Sequence, residues 1–197
     1  MYPIKLKFIV ELSNLNIKNG LCISLGSNID SKFGPPVNSL IESKFRIENI
    51  INNLINFNHE DKLEKNILKK IYNWSSLYQT SPLGVIGKQP DYINCLLLVK
   101  GDLLPTSSIE QARFLLKEFQ NIEKEFGRNK SSEDERWLPR PLDIDILWWD
   151  DLYINDDDFK IPHPRFQNRN FVISPLAEVL SITQKIEKLN IQNWVLK

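Results

Sequence analysis

The chain has 197 residues, of which 42% are hydrophobic, and it carries 25 Lys+Arg against 25 Asp+Glu. This length suits one domain, and the apolar content supports a real core. Zero formal net charge argues against a dedicated nucleic-acid binder, which carries a basic excess. No segment approaches a membrane span. The opening MYPIKLKFIVEL, interrupted by Lys5 and Lys7, lacks the apolar region and cleavage site of a signal peptide, so a cytoplasmic protein is expected. Cys22 and Cys95 stand far apart in apolar runs, which points to two reduced, buried thiols and not to a zinc site.

Within residues 1–19, IKLKFIVEL alternates weakly, as an added edge strand would. LCISLG (21–26) predicts a strand that stops at the turn residues Gly26, Ser27 and Asn28. After Pro35 and Pro36, the residues Val37, Leu40, Ile41, Ile47, Ile51, Leu54 and Ile55 fall on one helical face, which NHEDK (58–62) ends. Residues 63–71 fit a helix or an irregular segment. IYNWSSLYQT (71–80) predicts an aromatic-rich strand, SPLGVIGKQP (81–90) a loop and DYINCLLLVKG (91–101) a strong strand. Ser107 or Ser108 can cap a helix with Glu110 or Gln111 three residues on. Ile109, Ala112, Leu115, Leu116, Phe119, Ile122 and Phe126 form its stripe, and it stops near Gly127. RNKSSEDERWLPR (128–140) predicts a polar, mobile loop. A strand over the following DIDILWW, an acidic turn at 156–158, the segment IPHPRFQNRNF (161–171) and a helical tail from VISPLAEVL complete the chain.

The order strand, helix, strand, strand, helix, strand predicts an α+β fold. It is the ferredoxin-like βαββαβ core, a mostly antiparallel sheet with helices packed on it. Neither an internal repeat nor a low-complexity linker interrupts residues 1–197, so one domain is expected, with 1–19 as an extension of unknown role.

The stretch ERWLPRPLDIDILWWDD carries the chemistry. Side chains alternate along a strand, so Asp143 and Asp145 share one face, and Leu142, Ile144 and Ile146 share the other. Twice the strand rise separates the two aspartate Cα atoms by roughly 6.6–6.8 Å. Such a pair can grip hard cations, and oxygen ligands without His or Cys suit Mg2+. In isolation the spacing is a weak signal, since a solvated strand face would also carry aspartates. The company strengthens it: Asp is disfavoured in strands, and Arg128, Lys130, Arg136 and Arg140 stand just upstream. Acids that hold metal beside guanidinium donors that hold phosphate oxygens match a polyphosphate–Mg2+ complex. Ion pairing of these arginines with Glu133, Asp134 and Glu135 is the alternative. Neither G-x-x-x-x-G-K-[ST] nor G-x-G-x-x-G occurs, so a nucleotide would be held by side chains and metal.

Three further places look site-like. Tyr92 and Asn94 share a strand face, and a ring beside a carboxamide can hold a flat, hydrogen-bonding heterocycle or simply edge the core. His163, between two prolines and near Arg165 and Arg169, suits either a phosphate contact or a stiff surface turn. Gln120 and Glu123 lie together on one flank of a helix and face either a cleft or solvent.

The ordered pieces ISLGSN, YQTSPLG, QPDYIN, ERWLPRPLDIDIL and IPHPRFQNRNFVISPLAEV resemble the 6-hydroxymethyl-7,8-dihydropterin pyrophosphokinase family over most of residues 21–180. The resemblance implies transfer of the β,γ-diphosphate of ATP to the hydroxymethyl group of a reduced pterin, with AMP leaving and two Mg2+ ions bridging the phosphates. It implies that Asp143 and Asp145 hold the metal and that Arg136 and Arg140 are catalytic. It implies that Gln120, Glu123, Arg128, Trp137, Arg140, Ile146, His163 and Arg169 contact ATP. Tyr92 and Phe171 would sandwich the pterin, Asn94 would read its edge, and Thr80, Pro82 and Leu83 would add contacts. Lys130 stands where an arginine is common in the family. The implied partners are ATP and the reduced pterin, with neither nucleic acid nor membrane, in a monomer. Two other classes compete on the residues alone: a non-catalytic ferredoxin-like binding module and a Mg2+-dependent phosphohydrolase. Paired carboxylates oppose nucleic acid, and the Tyr92–Asn94 face opposes a plain hydrolase.

Overall fold

The computed structural model describes residues 20–57, 71–84, 88–100, 103–128, 138–180 and 194–196. The first strand, β1 (Gly20–Ser27), is buried along its whole length. A strand covered on both faces reads as a continuous run of apolar and small residues, which is how GLCISLGS reads. It lies between β4 (Tyr92–Lys100) and β5 (Asp143–Trp149), antiparallel to both. Two short strands, β2 (Tyr72–Trp74) and β3 (Leu77–Thr80), pair with the other side of β4. A hairpin, β6 (Ile154–Asn155) and β7 (Lys160–Ile161), holds the acidic turn, which Arg113 meets through Asp156 and Asp158. The last strand, β8 (Trp194–Leu196), adds to β3, so the main sheet runs β5-β1-β4-β3-β8.

Helices α1 (Pro36–Phe57) and α2 (Ile109–Glu125) cover one face of the sheet. There Leu21, Ile23, Leu25, Leu97, Val99, Ile144, Ile146 and Trp149 meet Ile47, Ile51, Leu115 and Phe119. Ser108 caps α2 by accepting from the Gln111 amide, as expected. The opposite face carries a smaller core, where Cys22, Leu96, Leu147 and Trp148 meet Val172, Ile173, Leu176 and Ala177 of α3 (Asn170–Val179). Only ten residues long, α3 covers part of that face. The part that no described helix covers is where the site lies. Cys22 and Cys95 are free and buried, on opposite faces, and burial pushes the Cys95 thiol up to about 12.

The α+β, ferredoxin-like expectation holds, and four local readings are corrected. Ile41 and Ile109 are 51% and 52% exposed, so neither belongs to its helix's buried stripe. Ser43 takes the α1 core position instead, and its hydroxyl donates to the Leu40 carbonyl at 2.9 Å. Residues 71–80 are not one strand. Ser75 breaks it, accepting the Leu96 amide on its hydroxyl, while the Ser76 amide and hydroxyl both donate to Glu178 of α3. The tail ends in β8, not in helix. The expected N-terminal strand, residues 63–70 and most of the 128–140 loop, with Lys130, Arg136 and Trp137, lie outside the described residues.

Ile51→Ala should destabilise the fold by about 2–5 kcal/mol, the range for an emptied aliphatic core site. Ile41→Gln should change it by no more than about 0.5 kcal/mol, as exposed positions do. Urea unfolding of the two variants beside wild type checks both.

Candidate active site

The two aspartates open β5, opposite Gly26 and Ser24 of β1. They stand on the α3 side of the sheet, and Ile144 and Ile146 point into the larger core. Further along, the pairing with β1 shifts by one residue between Cys22 and Ile23, a bulge that puts both Leu147 and Trp148 on the α3 side. One strand therefore supplies carboxylates to the open end of the face and apolar side chains to the covered end.

The cleft over the open end encloses about 500 Å³. Asp143, Asp145, Arg128, Arg140, His163 and Arg169 line one side. Thr80, Leu83, Tyr92, Asn94 and Phe171 line the rest, and the two groups touch where the Arg140 side chain bonds Tyr92 and Arg169 stacks on Phe171. Gly26 is the floor between them. A methyl group there would meet the Asn94 Oδ1 at 3.0 Å and the Tyr92 ring at 3.7 Å, so glycine keeps the floor open. Asn94 is buried, and its Nδ2 donates to the Thr80 hydroxyl at 2.8 Å, which fixes the carboxamide plane.

Arg128 reaches the acids because of how α2 ends. Gly127 takes a positive φ of 101°, the Gly127 amide donates to the Lys124 carbonyl, and the Arg128 amide donates to the Glu123 carbonyl. This glycine-dependent helix stop turns the chain towards β5. The Arg128 guanidinium then bridges Glu123, at 2.5 Å, and Asp143. Glu123 is itself buried and accepts the Ile144 amide at 2.8 Å, sealing the outer rim of β5. Arg140 donates to the other Asp143 oxygen at 3.1 Å. On the far side the His163 amide donates to the Leu147 carbonyl at 2.8 Å, which sets the imidazole beside β5. Its Nδ1 accepts the Arg165 amide, leaving Nε2 to face Asp145 at 4.0 Å. Arg169, at the start of α3, donates to Asp145 at 3.2 Å and stacks on Phe171 at 5.5 Å.

Most of the sequence-derived residues thus converge. Four do not line the cleft, and one of them is Glu123, which is buried behind Arg128. Gln120 lies on the solvent side of α2, Ile146 points into the core, and Pro82 sits half-buried between the lining residues Ser81 and Leu83. Arg136 and Trp137 lie outside the described residues. Ser24, Gly26, Ser81, Gly84, Arg165 and Asn168 line the cleft without having been singled out as site residues. For Ser24 and Gly26 the signal was present: they are small residues at the alternate positions of β1 that face the aspartates.

The donor set fits Mg2+. That ion takes one or two carboxylates and fills its shell with water and substrate phosphate. Asp143 and Asp145 are such a pair, and no group of three or more His, Cys, Asp or Glu suited to a metal forms among the described residues. A second, more open hollow of about 600 Å³ between Asn28, Val37 and Pro90 has no basic residue in its lining.

The family model described as 7,8-dihydro-6-hydroxymethylpterin-pyrophosphokinase matches residues 22–181, and the chain belongs to that family. A folic acid synthesis protein of Dictyostelium discoideum is 32% identical over 190 residues, covering 92% of this chain and 24% of the relative. The 2-amino-4-hydroxy-6-hydroxymethyldihydropteridine pyrophosphokinase of Haemophilus influenzae is 40% identical over 107 residues, 54% of this chain and 60% of the relative. Its Bacillus subtilis counterpart is 38% identical over 114 residues, 58% of this chain and 60% of the relative. The matched region therefore spans less than two thirds of each of these relatives. Among the described residues no helix is long and apolar enough to cross a membrane.

Burial and the neighbouring Asp143 push the Asp145 carboxyl up to about 6, against the pull of Arg169 and Arg128. Burial, then Arg169 and Arg165, push His163 down to about 4, so the imidazole is neutral at pH 7. A carboxyl raised from an unfolded value of about 3.9 binds its proton more tightly in the fold. Its stabilising share is complete below about pH 4 and is lost as pH rises through about 6. Asp145→Asn, which keeps an acceptor for Arg169, should raise the melting temperature of ligand-free, metal-free protein at pH 8. The gain should vanish near pH 4. Melting curves across that range check both the sign and the window.

Proposed function

We propose that the protein transfers the β,γ-diphosphate of ATP to the hydroxymethyl group of 6-hydroxymethyl-7,8-dihydropterin, releasing AMP in folate biosynthesis. The observation that carries this reading is the meeting, over one glycine floor, of a carboxylate pair ringed by arginines with a ring-and-carboxamide wall. A hydrolase needs only the first half, and a binding module needs no metal grip.

On this reading the pterin lies between Tyr92 and Phe171. The fixed Asn94 carboxamide and the Thr80 hydroxyl read its polar edge, and Leu83 closes its rim. Its hydroxymethyl group then projects towards Asp143 and Asp145. Arg128, Arg140, Arg165 and Arg169 outnumber those two carboxylates in the cleft, so it favours a polyanion. The pterin oxygen bonds to Pβ, the bond from Pβ to the oxygen bridging it to Pα breaks, AMP carries that oxygen away, and the hydroxyl proton is released. Two Mg2+ ions held by Asp143 and Asp145 would neutralise the phosphate oxygens. Neutral His163 offers an Nε2–H donor there without adding charge. Catalysis is then mainly positioning and charge stabilisation. Arg136 and Trp137 keep the roles that the family resemblance gives them, whereas Glu123 acts through Arg128, which it holds in place. We read the chain as one domain, 1–197, acting as a cytoplasmic monomer on small molecules, with neither nucleic acid nor membrane as partner.

Incubation with MgATP and the hydroxymethyl-dihydropterin should yield AMP in equal amount to the pterin diphosphate. ADP or inorganic phosphate as the nucleotide-derived product would overturn the reading. Asp143→Ala and Asp145→Ala should each lower kcat about 100-fold or more while the far-ultraviolet circular dichroism stays that of wild type. Tyr92→Ala should act mainly through the KM for pterin.

A further inference from the structure

The motif GSN contains one residue that the site did not absorb. Asn28 immediately follows β1, the strand between β4 and β5. It is 2% exposed, and it bonds only to backbone groups and one neutral side chain. Its backbone amide donates to the Arg140 carbonyl at 3.1 Å, and its Oδ1 accepts the Arg140 amide at 2.7 Å. Its Nδ2 donates to the Pro90 carbonyl at 3.2 Å and to the Gln89 Oε1 at 3.5 Å. Arg140 ends the loop that enters β5, and Pro90 ends the loop that enters β4.

These contacts occur where the sheet can no longer join the two loops by itself. Pro139 and Pro141 flank Arg140, and Pro90 stands two residues before Tyr92. A proline has no amide to donate, and the strand pairing of β1 ends at Asp143 on one side and Ile93 on the other, with one backbone bond, Asn28 to Arg140, beyond it. The Asn28 carboxamide supplies both a donor and an acceptor at that gap, one directed to each side. No shorter side chain spans it, and an acid has no amide hydrogen for Pro90.

We propose that Asn28 is a positioning residue that ties the Arg140 side of the cleft to the Tyr92 side, so that the phosphate-facing and ring-facing walls keep one spacing. This deepens the proposed pyrophosphokinase reading and rests on it for the substrates, though not for the tie itself. Asn28 touches neither reacting group; it holds the backbones at Arg140 and Pro90, and the Arg140 side chain meets Tyr92 directly above that tie.

The tie is tested first in ligand-free protein, by hydrogen exchange at single amides. In Asn28→Ala the Arg140 amide should exchange about tenfold faster, the factor expected for one lost buried hydrogen bond of ordinary strength. The Tyr92 and Ile93 amides, at the start of β4, should accelerate with it, while amides in the middle of β1 and α2 keep their wild-type rates. Asn28→Asp keeps the acceptor for Arg140 and loses the donor to Pro90, so Tyr92 and Ile93 alone should accelerate. Acceleration confined to the Arg140 side in Asn28→Ala would overturn the proposal. So would acceleration spread evenly over the whole sheet in both variants, which marks general loosening. The kinetic arm follows. Both variants should lose kcat, about tenfold in Asn28→Ala, with the KM for MgATP alone little changed. A loss confined to the KM for one substrate, with kcat intact, would also overturn it. If wild type makes no AMP, the pyrophosphokinase reading fails, and the exchange data still decide whether Asn28 joins the two walls.

Discussion

Two like charges stand two residues apart on a sheet face that is partly shut off from water, and much of the site answers to that constraint. Asp143 and Asp145 repel each other, and burial raises the cost of keeping both ionised. Arg128 and Arg140 meet the first carboxylate, and Arg169 meets the second. Each arginine comes from a different turn of the chain: the end of α2, the entrance to β5 and the start of α3. The helix stop at Gly127, the prolines around Arg140 and the placement of α3 all act to deliver positive charge to one strand end.

The same face is divided by chemistry along its length. Cys22, Leu96 and Leu147 sit under α3, and Ser24, Gly26, Asn94 and the aspartates lie beyond it. The apolar half anchors α3 and, through it, Arg169 and Phe171. Among the described residues no helix lies over the polar half, where it would bury two carboxylates. Glu178 locks the arrangement from the other side, accepting from the Ser76 amide and hydroxyl and from the Tyr78 hydroxyl. Packing and site are thus two ends of one surface.

Much of this was legible in the residues. Period-two alternation put Asp143 and Asp145 on one face and paired Tyr92 with Asn94, and both pairings line the cleft. The order of strands and helices gave the fold class. What could not be read depends on three-dimensional neighbours. Ile41 and Ile109 fit a helical stripe, yet both are about half exposed, because burial depends on what packs against the helix and not on its period. The break at Ser75 depends on Glu178, about a hundred residues away, which no local pattern carries. Gln120 and Glu123 look equivalent as helix neighbours, but β5 passes along one flank and buries only Glu123. The bulge at Leu147 is likewise a property of the pairing with β1 and not of DIDILWW alone.

The rim of β5 has a bearing on how copies of this chain treat one another. A border strand with unmet amides and carbonyls invites a foreign strand to add to it. Here a buried glutamate occupies the Ile144 amide, and the backbone at His163 occupies the Leu147 carbonyl. The carboxylate that steadies Arg128 also denies a docking seam to strangers. Cover of the Ile144 amide and the arginine's placement therefore answer to a single side chain, and selection acting on either would preserve the other.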